Sequence, residues 1–270
     1  MKRPYMPKVK KIPMINLENV GVHYSLSMNK KRRLRDSIVR DPRRSQSGEF
    51  WALRDINLKM YAGETLAVIG HNGAGKSTLL QILAGILEPS VGIAEVRGSI
   101  ATLLSLGAGF DPKLSARENI TLVGDFLGVP HREMVDRIPA IIEFAGLEDF
   151  ADDEVRGFSS GMRARLGFSV ATSVKPDVLL LDEVLAAGDA DFLERSRRRI
   201  EQLIESASVM VLVTHSLESA AKFCTRTIEL EKGRIVADGP TRAVTNAYKA
   251  KMAGRSATAS RPGAVVRRGS

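Results

Sequence analysis

Apolar residues along this chain follow two rhythms. Residues 65–69, 177–181 and 209–213 form short, nearly unbroken apolar runs, the pattern of parallel strands covered on both faces. Residues 15–24 and 51–60 read as a first and a second strand. Residues 76–86, 119–127, 134–145 and 163–174 instead repeat their apolar positions at helical spacing. Strands alternating with helices predict an α/β sheet with helices around it. From about 112 to 175 the pattern is helical only, so a helical lobe is expected to be inserted into the α/β body. The ordered unit is expected to span 15–253, after a basic arm at 1–14. Residues 254–270, rich in Gly, Ser, Ala, Arg and Pro, are expected to be disordered. No internal repeat is found.

Charge changes this picture at the two ends. Residues 1–54 hold 14 Lys/Arg against 4 Asp/Glu, and residues 248–270 hold 6 Lys/Arg and no acid. The body, 55–247, carries 20 basic and 27 acidic residues. An enzyme of nucleic acid would more often carry basic charge along its body, so no nucleic-acid partner is expected. Basic ends on an acidic body suit either an anionic membrane face or solvated tails. Much of the positive charge lies in a polar insertion at 25–48, where Lys30, Lys31, Arg32, Arg33, Arg35, Arg40, Arg43 and Arg44 stand against Asp36 and Asp41. Residues 29–40 could form a short basic helix that Pro42 ends. No apolar run approaches the ~18 residues of a spanning helix, and no secretion signal is read at the N-terminus. The single cysteine, Cys224, lies in an apolar stretch and reads as a buried small hydrophobe.

Candidate chemistry is concentrated at four places. Gly70-His71-Asn72-Gly73-Ala74-Gly75-Lys76-Ser77, followed by Thr78, matches the phosphate-binding pattern G-x-x-x-x-G-K-[ST] between a predicted strand and a predicted helix. Its glycines let backbone N–H groups turn toward phosphate oxygens at a positive helix end. Lys76 would place its charge on the β- and γ-phosphates, and the Ser77 hydroxyl could ligate Mg²⁺. Leu179-Leu180-Leu181-Asp182-Glu183 is an apolar strand ending in two carboxylates. Asp182 would hold the Mg²⁺, and Glu183, facing the other way, could act as general base on the attacking water. Taken alone, this is also what an ordinary surface Asp-Glu looks like. His215 follows the 209–213 strand and would reach a γ-phosphate if that strand neighbours the one ending at Asp182. Phe158-Ser159-Ser160-Gly161-Met162 opens a helical pattern, and by itself it is a helix cap.

These four elements, in this order and spacing, resemble the ATP-binding-cassette ATPases from about 15 to 248. Ser159 stands 23 residues before Asp182, and His215 stands 33 after it. The resemblance implies a P-loop NTPase fold of the RecA type and a head-to-tail homodimer. Each MgATP would lie between residues 70–78 of one subunit and Ser159, Ser160 and Gly161 of the other. It further assigns Asp189 to the family's inter-subunit aspartate loop and Tyr24 to the aromatic that stacks on adenine, with packing as Tyr24's competing role. Two departures stand out. Ser160 and Met162 replace a glycine and the glutamine of the L-S-G-G-Q signature. No glutamine occurs in Ser105-Leu106-Gly107-Ala108-Gly109-Phe110, where the family places one before its Leu-Ser/Thr-x-x-Glu-Asn segment, here Leu114 to Asn119. Both departures, with the insertion before Phe50-Trp51-Ala52-Leu53, resemble the branch that exports lipid-linked polysaccharides such as O-antigen, teichoic acid or galactan. That branch implies two copies of a membrane permease, which handles the glycan, and a place on the cytoplasmic face of the membrane. The C-terminal glycan-binding domain of some members is not expected here. An exporter of another lipid or small molecule, or a cassette ATPase outside transport, remain the alternatives.

Overall fold

The structure, a computed structural model, describes residues 12–25, 49–102, 109–182 and 190–259. Glu183, Asp189, the basic stretch 29–40 and Ser105 to Ala108 lie outside the described residues. The chain begins with strands β1 (Ile15–Ser25), β2 (Glu49–Met60) and β3 (Thr65–Ile69), then helix α1 (Lys76–Leu83) and strands β4 (Val91–Val96) and β5 (Ile100–Thr102). Three helices follow: α2 (Ala116–Phe126), α3 (His131–Ala145) and α4 (Ser160–Ala171). Strand and helix then alternate through β6 (Val178–Asp182), α5 (Ala190–Ser206), β7 (Val209–Val213) and α6 (Leu217–Phe223). Strands β8 (Arg226–Glu231) and β9 (Arg234–Pro240) and helix α7 (Thr241–Ala259) complete the described elements.

Two sheets carry the α/β body. One is a three-stranded antiparallel sheet in the order β2-β1-β4. The other has the order β5-β6-β7-β3-β8-β9, all parallel except β9. The unbroken apolar runs have a simple cause in this second sheet: alternate residues serve two different cores. Leu66, Val68, Val178, Leu180, Val209 and Val211 face the antiparallel sheet and α1, whose Leu79, Leu80 and Leu83 are fully buried between the layers. Ala67, Leu179, Leu181, Met210 and Leu212 face the other way, onto Phe192, Ile200 and Leu203 of α5 and Phe168 of α4. Each fully buried aliphatic side chain is worth about 1.5–3 kcal/mol of transfer free energy. Cys224 lies in this second core, and burial pushes its thiol up to about 12.

Residues 112–175 hold no strand, and their helices close a third core of Ala116, Ile120, Met134, Ile138, Ile141, Val155, Phe158 and Leu166. The hydropathy pattern misses several boundaries. Helix α1 stops at Leu83 because Gly85 turns left-handed (φ 69°), and α4 starts at Ser160, capped by Ser159. Helix α7 continues to Ala259, into the stretch where disorder was expected, and residues 260–270 lie outside the described residues. The helix is anchored by Val244 in its first turn and, near its middle, by Lys251 bridging Glu229 and Glu231 at 2.6 Å each. An Ala-rich stretch then extends a helix already nucleated. Among the described residues, no helix is long and apolar enough to cross a membrane.

Candidate nucleotide-binding site

The phosphate loop is built by close backbone packing. Gly70 (φ 149°) follows β3, and a Cβ there would stand 2.2 Å from the Leu230 carbonyl oxygen on β8. Gly75 (φ 110°) caps α1, and a Cβ there would meet the Ala52 carbonyl oxygen at 2.7 Å. Only glycine satisfies both the left-handed backbone and these walls. Between them, Ala74 is buried and its carbonyl accepts the Gly233 N–H at 2.9 Å, while the Gly233 carbonyl accepts from Arg54 at 2.8 Å. The loop therefore rests on β2 and on the turn between β8 and β9, segments distant in sequence.

Two features of the loop suit an anion. The N-cap of α1 is Gly75, which has no side chain to cap that positive helix end. Lys76 is buried, and its ammonium donates to the carbonyls of Gly70 (2.8 Å) and His71 (3.1 Å), which holds the cation over the loop. The His71 ring nitrogen Nδ1 lies 2.7 Å from the Asn72 carbonyl oxygen.

The loop borders a cavity of about 600 Å³, large enough for a nucleotide, although Gly70, His71 and Ala74 do not themselves line it. Asn72, Gly73, Gly75, Lys76, Ser77 and Thr78 line its floor. Asp182 and His215 join them because β6 and β7 pair in parallel, with Asp182 opposite Val213. The β7 end is itself pinned to β3 by the Thr214 N–H donating to the Val68 carbonyl at 3.2 Å. Tyr24 borders the same cavity and is 43% exposed. Phe50 stands beside it, since β1 and β2 pair Tyr24 with Phe50. Sequence reasoning missed Phe50 as a site residue. Its only signal was its place opposite Tyr24, and that requires the strand register. Among the described residues no cluster of three or more His, Cys, Asp or Glu could cage a metal. A Mg²⁺ ion at Ser77 and Asp182 fits this, because magnesium is usually held by one or two carboxylates together with substrate phosphates.

Ser159, Ser160 and Gly161 do not border this cavity. Ser159 and Ser160 are exposed, and the Ser159 hydroxyl accepts the Met162 N–H at 3.1 Å as the cap of α4. A Cβ on Gly161 would meet nothing nearer than the Ser159 hydroxyl, 3.8 Å away. Within one chain, the residues expected at the site therefore fall in two places, the phosphate-loop cavity and the start of α4.

Over residues 53–186 the chain matches the family described as ABC transporter. It is 37% identical, over 89% of its own length and 99% of the relative's, to the O-antigen export system ATP-binding protein RfbB of Klebsiella pneumoniae. The chain belongs to the ABC transporter family. As an ATP-binding cassette, it is also 44% identical over 74% of its length to the ABC transporter protein AbcA of Aeromonas salmonicida, spanning 65% of that protein. It is 38% identical over 74% of its length to the teichoic acids export ATP-binding protein TagH of Enterococcus faecalis, spanning 45% of it. Some of its curated relatives are thus much longer than this cassette. Among solved structures, a dimeric post-hydrolysis ATP-binding cassette bound to ADP and phosphate is similar in fold, with a TM-score of 0.63 at 23% identity over 84% of this chain and 99% of that one.

Proposed function

We propose that this cassette is the ATP-hydrolysing subunit of an exporter of lipid-linked polysaccharide. Two copies would face each other head to tail, and the motor would act on two copies of a membrane permease from the cytoplasmic face. One observation carries the reading: the nucleotide pocket and the signature helix start are both preformed, yet they lie apart within one chain. A second copy, placed head to tail, would set Ser159–Gly161 of each subunit over the other's pocket.

In this arrangement the α1 N-terminus and Lys76 bind the β- and γ-phosphates, and Tyr24, with Phe50 beside it, supplies an aromatic wall for adenine. Ser77 and Asp182 would hold Mg²⁺, which supplies charge neutralisation on the phosphate oxygens. Glu183 takes the proton of the attacking water as the oxygen bonds to the γ-phosphorus, and the bond to the ADP oxygen breaks. His215 donates a hydrogen bond at the γ-phosphate, and Asp189 contacts the facing subunit. The polysaccharide cargo is supported by the relatives named for O-antigen and teichoic acid export, and the permease handles the glycan itself.

Glu183→Gln tests the motor and the cargo together. The variant should bind ATP, lose on the order of 10²–10⁴ in hydrolysis, and elute as an ATP-trapped dimer. In cells it should deplete surface polysaccharide while the carrier-linked form accumulates inside. Near-normal turnover would remove the general base, and an unchanged surface polysaccharide would remove the cargo.

A further inference from the structure

Asn119, in the first turns of α2, is completely buried. Its side-chain amide is bonded on every side. Nδ2 donates to the carbonyls of Asp111 (3.0 Å), Leu114 (3.1 Å) and Ser115 (3.0 Å), and Oδ1 accepts the Asp111 N–H at 2.8 Å. Two amide hydrogens thus serve three carbonyls, and a single side chain fixes both ends of the 111–115 loop. Ser115 and Glu118 lock the same loop from outside through reciprocal capping bonds.

The loop held in this way carries the segment that leads to Ser159. The Pro112 carbonyl accepts from Arg156 (2.8 Å) and the Leu114 carbonyl accepts from Val155 (3.0 Å). Ala116 donates to the Asp153 carbonyl at 3.2 Å and Arg117 to that of Ala151 at 3.1 Å, with a β-bridge between Ser115 and Glu154. Three residues past Val155, Phe158 is buried in the core that also holds Ala116, Ile120 and Val155, and Met162 packs against it. Within its own chain, Ser159 is positioned by this scaffold and by its capping bond to α4.

We propose that Asn119 is a positioning residue for the signature: it sets where Ser159 and Gly161 present themselves to the nucleotide of the facing subunit. The proposal rests on the shared-site reading above and predicts an unusual defect. Loss of the amide harms the site that the variant subunit serves, and leaves intact the site that it carries.

The test uses Asn119→Ala, with Asn119→Ser as a milder variant, in the full-length protein. Each variant should bind ATP with the parent's affinity by calorimetry, since the phosphate loop is untouched. Turnover should fall by about 100-fold, the cost of a small misplacement at a reacting centre. Mixing the variant with Lys76→Ala should restore partial turnover, because the heterodimer pairs an intact pocket with an intact signature. A parallel mixture of Ser159→Arg with Lys76→Ala reports on the shared site itself. If that control recovers and the Asn119 mixture does not, Asn119 acts on its own subunit's pocket and the proposal is overturned. If the control fails with heterodimers present, the shared site falls and takes the proposal with it. Loss of ATP affinity in both Asn119 variants would make it a folding residue and would also overturn the proposal.

Discussion

The phosphate loop and the signature helix start both present the positive end of a helix to solvent, but they are built on opposite terms. The loop is defined by what surrounds it. Gly70 lies against Leu230, Gly75 against Ala52, and Ala74 is tied to Gly233, so two distant segments, β2 and the β8–β9 hairpin, enforce the left-handed glycines of the loop. The signature is defined by what it lacks. Among the described residues a Cβ on Gly161 would meet only the Ser159 hydroxyl, at an ordinary 3.8 Å, and Ser159 caps its own helix. A glycine in the first region answers to the fold, and Gly161 in the second meets no close contact among the described residues. The difference separates a preorganised half-site from one that awaits a second surface.

Gly70→Ala should give the largest effect. The new methyl would collide with backbone rather than with a movable side chain, in a conformation that alanine avoids. We expect a loss of about 3 kcal/mol or more in denaturant unfolding, with ATP binding abolished. A variant of parental stability would show that the loop is less constrained than its packing implies.

Gly161→Ala should do the reverse. Alanine in a helix restricts the unfolded chain, so the monomer should gain about 0.5 kcal/mol in thermal or denaturant unfolding. Turnover should nonetheless fall, because the methyl would occupy space meant for the facing subunit's nucleotide. Unchanged turnover would detach Gly161 from the site.

The smallest effect concerns thiol chemistry and sharpens the contrast by accessibility. Cys224 is buried, and burial pushes its thiol up to about 12, which disfavours the thiolate at pH 8. Alkylation at pH 8 should be slow in the folded protein and rise with denaturation. A cysteine introduced by Ser159→Cys in a Cys224→Ala background should react about 100-fold faster, and should be shielded by ATP when Glu183→Gln holds the dimer closed. Rapid alkylation of Cys224 in the native chain would contradict its burial.

The sequence alone determined the chemistry of the core half-site. A glycine-rich turn between strand and helix, a lysine and serine at the helix start, and an aspartate at the end of an apolar strand are local patterns. Each is set by residues a few positions apart, and the structure places Lys76, Ser77, Asp182 and His215 around one cavity. The helical lobe was legible for the same reason, because amphipathic spacing is a property of single helices. The tertiary structure alone decided everything that depends on register and distant contact. Only the pairing of β1 with β2 brings Phe50 beside Tyr24, and only the β6–β7 pairing brings His215 to Asp182. The extension of α7 to Ala259 depends on its docking against β8, which a weakly apolar sequence does not announce. Asn119 shows the division most sharply. On paper it is a polar residue near the start of a helix, with no sign of burial. Its role comes from four hydrogen bonds and from a segment some 35 residues away, bonded to the loop that it fixes. Hydropathy and spacing report what neighbours in sequence prefer; which surfaces meet is settled when the whole chain packs.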